Sequence, residues 1–175
     1  MSSSVTRMLR RLTSGALSMW GTVRRNHALE HATVHLLGRW NPSLKVVGRS
    51  TAGGFYLYGQ VETAAVARAA SEALVELQRD PELAVHPRCG TNLAVTGLIA
   101  GLAAFAADST RGRSRAMALP QVLLASLWGV LAAQPLGTAV QRSITTNPDV
   151  AGARIGPIRR REGKPVTHFV SVIWE

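Results

Sequence analysis

Two uncharged runs follow one another in the middle of this chain, and they restrict its possible folds more than any other feature. Residues 93–107 read LAVTGLIAGLAAFAA and residues 116–140 read AMALPQVLLASLWGVLAAQPLGTAV, with no Asp, Glu, Lys or Arg in either. The first run is 15 residues long, or 17 counted from Thr91, and the second is 25. Crossing a bilayer takes about 20 residues of helix, so the first sits at the short end and the second crosses with tilt. A soluble domain within 175 residues could hardly enclose two helices that are apolar all round. Residues 93–140 are therefore expected to form a transmembrane helical hairpin. Pro120 and Pro135 lie near the ends of the second run, where a kink costs least. Gly97, Gly101 and Ala104 suggest close helix contact, within the hairpin or between copies in a homo-oligomer.

A hairpin leaves both flanks on one side of the bilayer. Of 20 Lys and Arg residues, the loop DSTRGRSR holds three, Arg111, Arg113 and Arg115, and the flanks hold the other 17. The positive-inside tendency then places the flanks in the cytoplasm of a multi-pass cell-membrane protein, where a lone cysteine stays reduced. The net charge of +10 suits anionic lipid head groups. Nucleic acid is the weaker expectation, because aromatic residues are 5% of the chain and no nucleic-acid-binding module is recognisable. Before residue 22, Val5, Met8, Leu9, Leu12, Ala16 and Met19 recur at helical spacing beside Arg7, Arg10 and Arg11. This predicts a basic amphipathic helix over 1–21 rather than a secretory signal.

The remainder reads as α+β. Residues 22–38 form a helix ended by Gly38. Val46 and Val47 open a strand, STAGG turns it, and FYLYGQV returns. Residues 62–79 form a second helix with Val66, Ala70, Ala73, Leu74 and Leu77 on one face. LAV from Leu83 is a short strand. After the apolar runs, ARIGPIRR and VTHFVSVIW make another hairpin, with Val166, His168, Val170, Val172 and Trp174 sharing a face. The expected organisation is an α+β metal-site domain over 22–92, the membrane hairpin over 93–140, and a C-terminal β-hairpin over 141–175. That last hairpin packs on the first domain in one antiparallel sheet.

Chemistry concentrates in two short segments. HALEHATVH holds His27, Glu30, His31 and His35, and HPRCGT holds His86 and the only cysteine, Cys89. Imidazole and thiolate favour zinc and similar divalent transition ions. On a helix, residues four apart stand one above the other, so His27 and His31 can hold one ion. Eight residues of helix span about 12 Å, so one ion does not easily take both His27 and His35 and binds either His27 with His31 or His31 with His35, the first pair being preferred. His27 with His31 uses the whole His-x-x-Glu-His motif of the inverted zincins, in which Glu30 would take a proton from an activated water. His86-Pro87-Arg88-Cys89-Gly90 has the look of a zinc knuckle, with Cys89 thiolate as a strong ligand and His86 as a ligand or its supporting partner.

The number of ligands separates the functions. His27, His31, His86 and Cys89 together would close a tetrahedral, structural site. His27, His31 and Cys89 with a water would leave a position open, with Glu30 as base. A downstream glutamate (Glu72, Glu76 or Glu82) could also serve as third ligand. The expectation is a membrane-anchored metal-dependent hydrolase of inverted-zincin type, and the alternative is a non-catalytic subunit of a membrane complex whose ion is a structural staple. His168 on its strand reads as a core or interface histidine.

In order and context these residues resemble the YqhQ-like bacterial membrane proteins. That group carries a His-x-x-Glu-His helix and then His-Pro-Arg-Cys-Gly-Thr just before a transmembrane helix. The matching positions are His27, Glu30 and His31, then His86 to Thr91, then the run from Leu93. A smaller group of uncharacterised bacterial proteins with HALEHAT and HP-x-CGTN signatures looks more similar still. Ala32 and Asn92 depart from the larger group, where Lys and Ser are usual. The resemblance implies a metal-type site in a membrane protein and supplies no substrate.

Overall fold

The computed structural model describes residues 2–108 and 115–175, with side chains over 18–108 and 119–175. Of the basic amphipathic helix expected over 1–21, Val5 to Ala16 with Arg7, Arg10 and Arg11 lie outside the described side chains, as do Arg111, Arg113 and Arg115 of the loop. Over the described residues the chain is α+β, with four helices, a four-stranded antiparallel sheet in the order β1-β2-β4-β3, and two short helical turns. It divides into two compact units, one of residues 1–85 with 146–175 and the other of residues 86–145.

The first unit is built around helix α1, Ser2–Trp40. α1 runs through residue 21 without a break, so the stretches expected over 1–21 and 22–38 are one element. It also passes Gly38, the expected stop, and ends two residues later. The physical reason lies just beyond. Pro42 cannot continue a helix and disfavours helical backbone at Asn41. The Asn41 side chain instead accepts from the Ser43 amide (3.1 Å) and hydroxyl (2.6 Å).

Strands β1, Val47–Thr51, and β2, Gly54–Tyr58, form the expected hairpin. At its turn Gly54 has φ 138°, and a Cβ there would run into the Val170 carbonyl, so only glycine fits. Helix α2, Thr63–Arg79, buries Val66, Ala69, Ala70, Ala73 and Leu77, largely the face its spacing predicted. The predicted strand from Leu83 is instead a 3-10 turn, Pro81–Ala84. Proline at the first helical position and an Asp80 carboxylate accepting from the Glu82 amide (3.1 Å) start a turn rather than a strand.

Strands β3, Ala153–Arg161, and β4, Thr167–Trp174, make the C-terminal hairpin, and β4 pairs with β2. Segments on either side of the apolar helices thus share one sheet, as the sequence suggested. One face packs on α1 and α2 through Phe55, Leu57, Val170 and Val172 against Leu29, Leu36, Val66 and Leu77, all essentially solvent-free. Each such side chain contributes about 1.5–3 kcal/mol on burial. A buried polar residue joins the layers. Asn26 donates to the Thr51 and Ala52 carbonyls (2.8 and 3.1 Å) and accepts from the Trp174 indole (3.1 Å).

The second unit holds helices α3, Gly90–Asp108, and α4, Arg115–Val140, followed by a short π-helical turn, Gln141–Thr145. Both are long and apolar enough to cross a membrane. α3 buries none of its residues, and Leu98, Phe105, Leu124, Trp128 and Leu131 are each more than half exposed. The pair touches at Gly129, where a Cβ would lie 2.9 Å from the Ala100 Cα. Gly97 and Gly101, expected at the contact, have open space where a Cβ would stand, so the close approach within the pair belongs to Gly129 instead.

Candidate metal centre

The motif helix presents its residues to different surroundings because 3.6 residues make a turn. His27 and His31 stand one above the other, ring centroids 4.3 Å apart and planes at 61°. His31 is buried and His27 half-buried. The Nδ1 of His31 lies 2.6 Å from the Ala84 carbonyl. One turn on, Nε2 of His35 lies 3.0 Å from the Val85 carbonyl. Each ring N–H that donates to such a carbonyl fixes its tautomer, and for His31 it leaves Nε2 as the lone-pair nitrogen. His35 thus ties the end of the 3-10 turn to α1.

Glu30 turns toward the sheet. Its carboxylate accepts from the Ser50 hydroxyl (2.7 Å) and rests directly over Gly48 of β1, where a Cβ would collide with three of its side-chain atoms. Glu30 is buried, and desolvation raises its carboxyl above the ordinary range; the Ser50 hydrogen bond and the field of His27 pull it back. A buried carboxylate is expensive to keep, and here the field of His27 and the Ser50 hydrogen bond offset part of that cost.

The His86–Cys89 turn is equally specific. The Cys89 amide donates to the His86 carbonyl (3.1 Å), the Arg88 amide donates to His86 Nδ1 (3.2 Å), and the Thr91 amide faces the Cys89 sulfur at 3.4 Å. One backbone N–H, that of Thr91, is thus aimed at the sulfur. Gln141, fully buried, accepts from the His86 amide (2.9 Å) and donates to the Asn92 side chain (2.6 Å), which donates to the Pro87 carbonyl (2.9 Å). Gly137 leaves the room Asn92 needs. The network explains an amide at 92, and neither Gln141 nor Gly137 carried a sequence signal, because their partners lie some 50 residues away.

His27, His31 and Cys89 each offer one ligand atom, and this His-His-Cys group could hold a metal ion. His86 is not in that group, and its Nδ1 accepts from Arg88. The three glutamates considered as ligands stand elsewhere. Glu72 pairs with Arg68 (2.8 Å), Glu76 with Arg79 (3.5 Å), and Glu82 is exposed on the 3-10 turn.

His168 is a core histidine. It is fully buried on β4, its Nε2 lies 3.1 Å from the Thr63 hydroxyl, and among the described residues its Nδ1 has no partner. Desolvation, with Arg160 nearby, pushes its pKa down.

Comparison with known proteins fits this picture. An uncharacterised protein of Picosynechococcus sp. (strain ATCC 27264 / PCC 7002 / PR-6) is 36% identical over 174 aligned residues, covering 87% of this chain and 80% of its own length. No solved structure matches. The family match spans residues 22–158, which takes in the motif helix, the His86–Cys89 turn and both apolar helices; kinship with the YqhQ-like group is not part of it. The chain belongs to the family described as Domain of unknown function (DUF6391).

Proposed function

We propose that this is an integral membrane protein in which His27, His31 and Cys89 hold one divalent transition ion, zinc being the first choice, for hydrolytic chemistry. The observation that carries the reading is the His27–His31 pair set one above the other on one helix face beside a desolvated carboxylate, together with a cysteine turn whose sulfur faces a backbone N–H. Three protein ligands are the usual complement of catalytic zinc, which keeps a fourth position for water or substrate. Bound there, the ion would supply Lewis acidity. Glu30 would then receive a proton from the attacking water as the new bond to the substrate forms, and return it to the leaving group. Burial favours this role, because desolvation raises the Glu30 carboxyl and makes it a stronger base. The twin histidines, the cysteine turn and the membrane helices are also what a relation to the YqhQ-like proteins would lead one to expect. On the lysine and arginine count of the flanks, we infer that both termini lie on the cytoplasmic side, with the two apolar helices crossing as a hairpin.

A second reading has its own observation. The Glu30 carboxylate is held against β1 by Ser50 and Gly48, as it would be if its task were to orient His27. In that case the ion is a staple within a membrane complex.

One experiment separates them. The detergent-solubilised protein is loaded with cobalt(II), and its visible spectrum is followed as acetohydroxamate is added. We expect one cobalt per chain, a sulfur-to-metal band lost in Cys89→Ser, and a spectral change with hydroxamate that reports an open position. Glu30→Gln should keep the cobalt and abolish turnover on an ester and peptide panel. A saturated four-coordinate spectrum, indifferent to hydroxamate, supports the staple, and absence of stoichiometric metal refutes both.

A further inference from the structure

The four-stranded sheet has a second face that neither α1 nor α2 covers. Directly paired residues share a face, so the register assigns it. One cross-strand row reads Arg49, Tyr56, Phe169, Arg159. The adjacent row reads Val47, Tyr58, Thr167, Arg161. Arg49, Arg159 and Arg161 are exposed, and among the described residues none of them is in an ion pair. Arg154, farther along the same face, pairs with Glu175. No Asp or Glu occupies a paired position on this face. Two aliphatic side chains complete it, with Val47 69% and Ile173 46% exposed.

From this we infer that the outer sheet face docks on an anionic lipid surface. Around Arg49, Arg159 and Arg161 the charge has one sign, with the Glu175 carboxylate confined to Arg154 farther along, as attraction to acidic head groups requires. Tyrosine, arginine and isolated aliphatics side by side are the composition of the membrane–water boundary, where rings and alkyl groups sit at head-group level. Nucleic acid is the rival occupant of a basic, aromatic sheet, but it needs free ring faces on which bases stack. Here the rings face one another. Tyr56 and Phe169 have centroids 4.7 Å apart, and Tyr56 and Tyr58 are stacked at 6.2 Å. The inference rests on the membrane part of the proposed function and is independent of the metal.

The test uses the full chain reconstituted into nanodiscs of phosphatidylcholine alone or with phosphatidylglycerol, probed by hydroxyl-radical footprinting. We expect modification of Tyr56, Tyr58 and Phe169 to fall several-fold in the anionic discs and to recover in high salt. The variant Arg49→Gln/Arg159→Gln/Arg161→Gln should lose the protection, since each arginine is worth about fivefold in surface affinity and the three together about a hundredfold. Arg68→Gln, on α2, should keep it, which controls for charge alone. Equal modification in both lipids overturns the inference. So does protection that requires an added oligonucleotide and ignores lipid. A chain that stays soluble without detergent and never enters the discs refutes the membrane reading itself, a result distinct from entry without protection.

Discussion

Gly48 should become intolerant of even one methyl group, and only because of Glu30. Its backbone does not need glycine's freedom, since it is not among the residues with positive φ. In an open strand, alanine there would stabilise the protein by roughly 0.4–1 kcal/mol. In the folded chain the added Cβ collides with Oε1, Cδ and Cγ of Glu30. Three atoms of the side chain must move, and moving them breaks the Ser50 hydrogen bond inside a buried layer. Overpacking of this kind costs about 1–3 kcal/mol. Gly48→Ala should therefore be a net loss of about 1–2 kcal/mol, or a few degrees of melting temperature for a chain of this size. In a Glu30→Ala background the obstacle is gone, and the same methyl should be neutral or stabilising. The coupling between the two sites is then on the order of 2 kcal/mol. Thermal unfolding of the four proteins of this cycle in detergent, followed by tryptophan fluorescence, reads it directly. A Gly48→Ala protein that melts at or above the parent temperature, unchanged by Glu30→Ala, would refute the placement of the carboxylate over β1.

Other outcomes follow from single contacts. His168 is buried with its pKa lowered, so the unfolded chain takes up a proton near pH 6.5 that the folded chain refuses. Its contribution to stability is complete above that pH and declines as pH falls below it. Arg160 steepens the decline, while Glu62 and Glu162 oppose it. His168→Leu gives up the Nε2–Thr63 hydrogen bond, about 0.5–1.5 kcal/mol at neutral pH, and should flatten the acid side of the difference curve against the parent; an identical pH dependence would refute this. Gly129→Ala should weaken association of α3 with α4, whereas Gly97→Ala and Gly101→Ala should leave melting of the detergent-solubilised protein unchanged. Gln141→Leu leaves the His86 amide without its acceptor and should cost about 1–3 kcal/mol and loosen the Cys89 turn, measured as weaker cobalt binding; unchanged affinity would separate this network from the metal centre.

The sequence was most informative where the signal is periodic or chemically dense. Unbroken apolarity located α3 and α4, alternation located the strands from Gly54 and Thr167, and the spacing of Val66, Ala70, Ala73 and Leu77 located α2. The histidine and cysteine clusters contain His27, His31 and Cys89, the group that could bind a metal, while His86 lies outside it. Signals at helix ends were less dependable. Gly38 was overridden by a proline four residues later, and the segment from Leu83 turned helical because Asp80 and Pro81 cap it.

What the amino-acid order determined by itself was therefore local: which stretches are helix or strand, which are apolar enough for a bilayer, and which residues could bind a metal. Which side of Glu30 meets Gly48, that Asn26 and Gln141 are the polar ties, and that the arginines of β1 and β3 share an open face all depend on strand register and on contacts between residues far apart in sequence. Such contacts leave no mark in any one window of the chain, because each partner taken alone is only an ordinary glycine, amide or arginine.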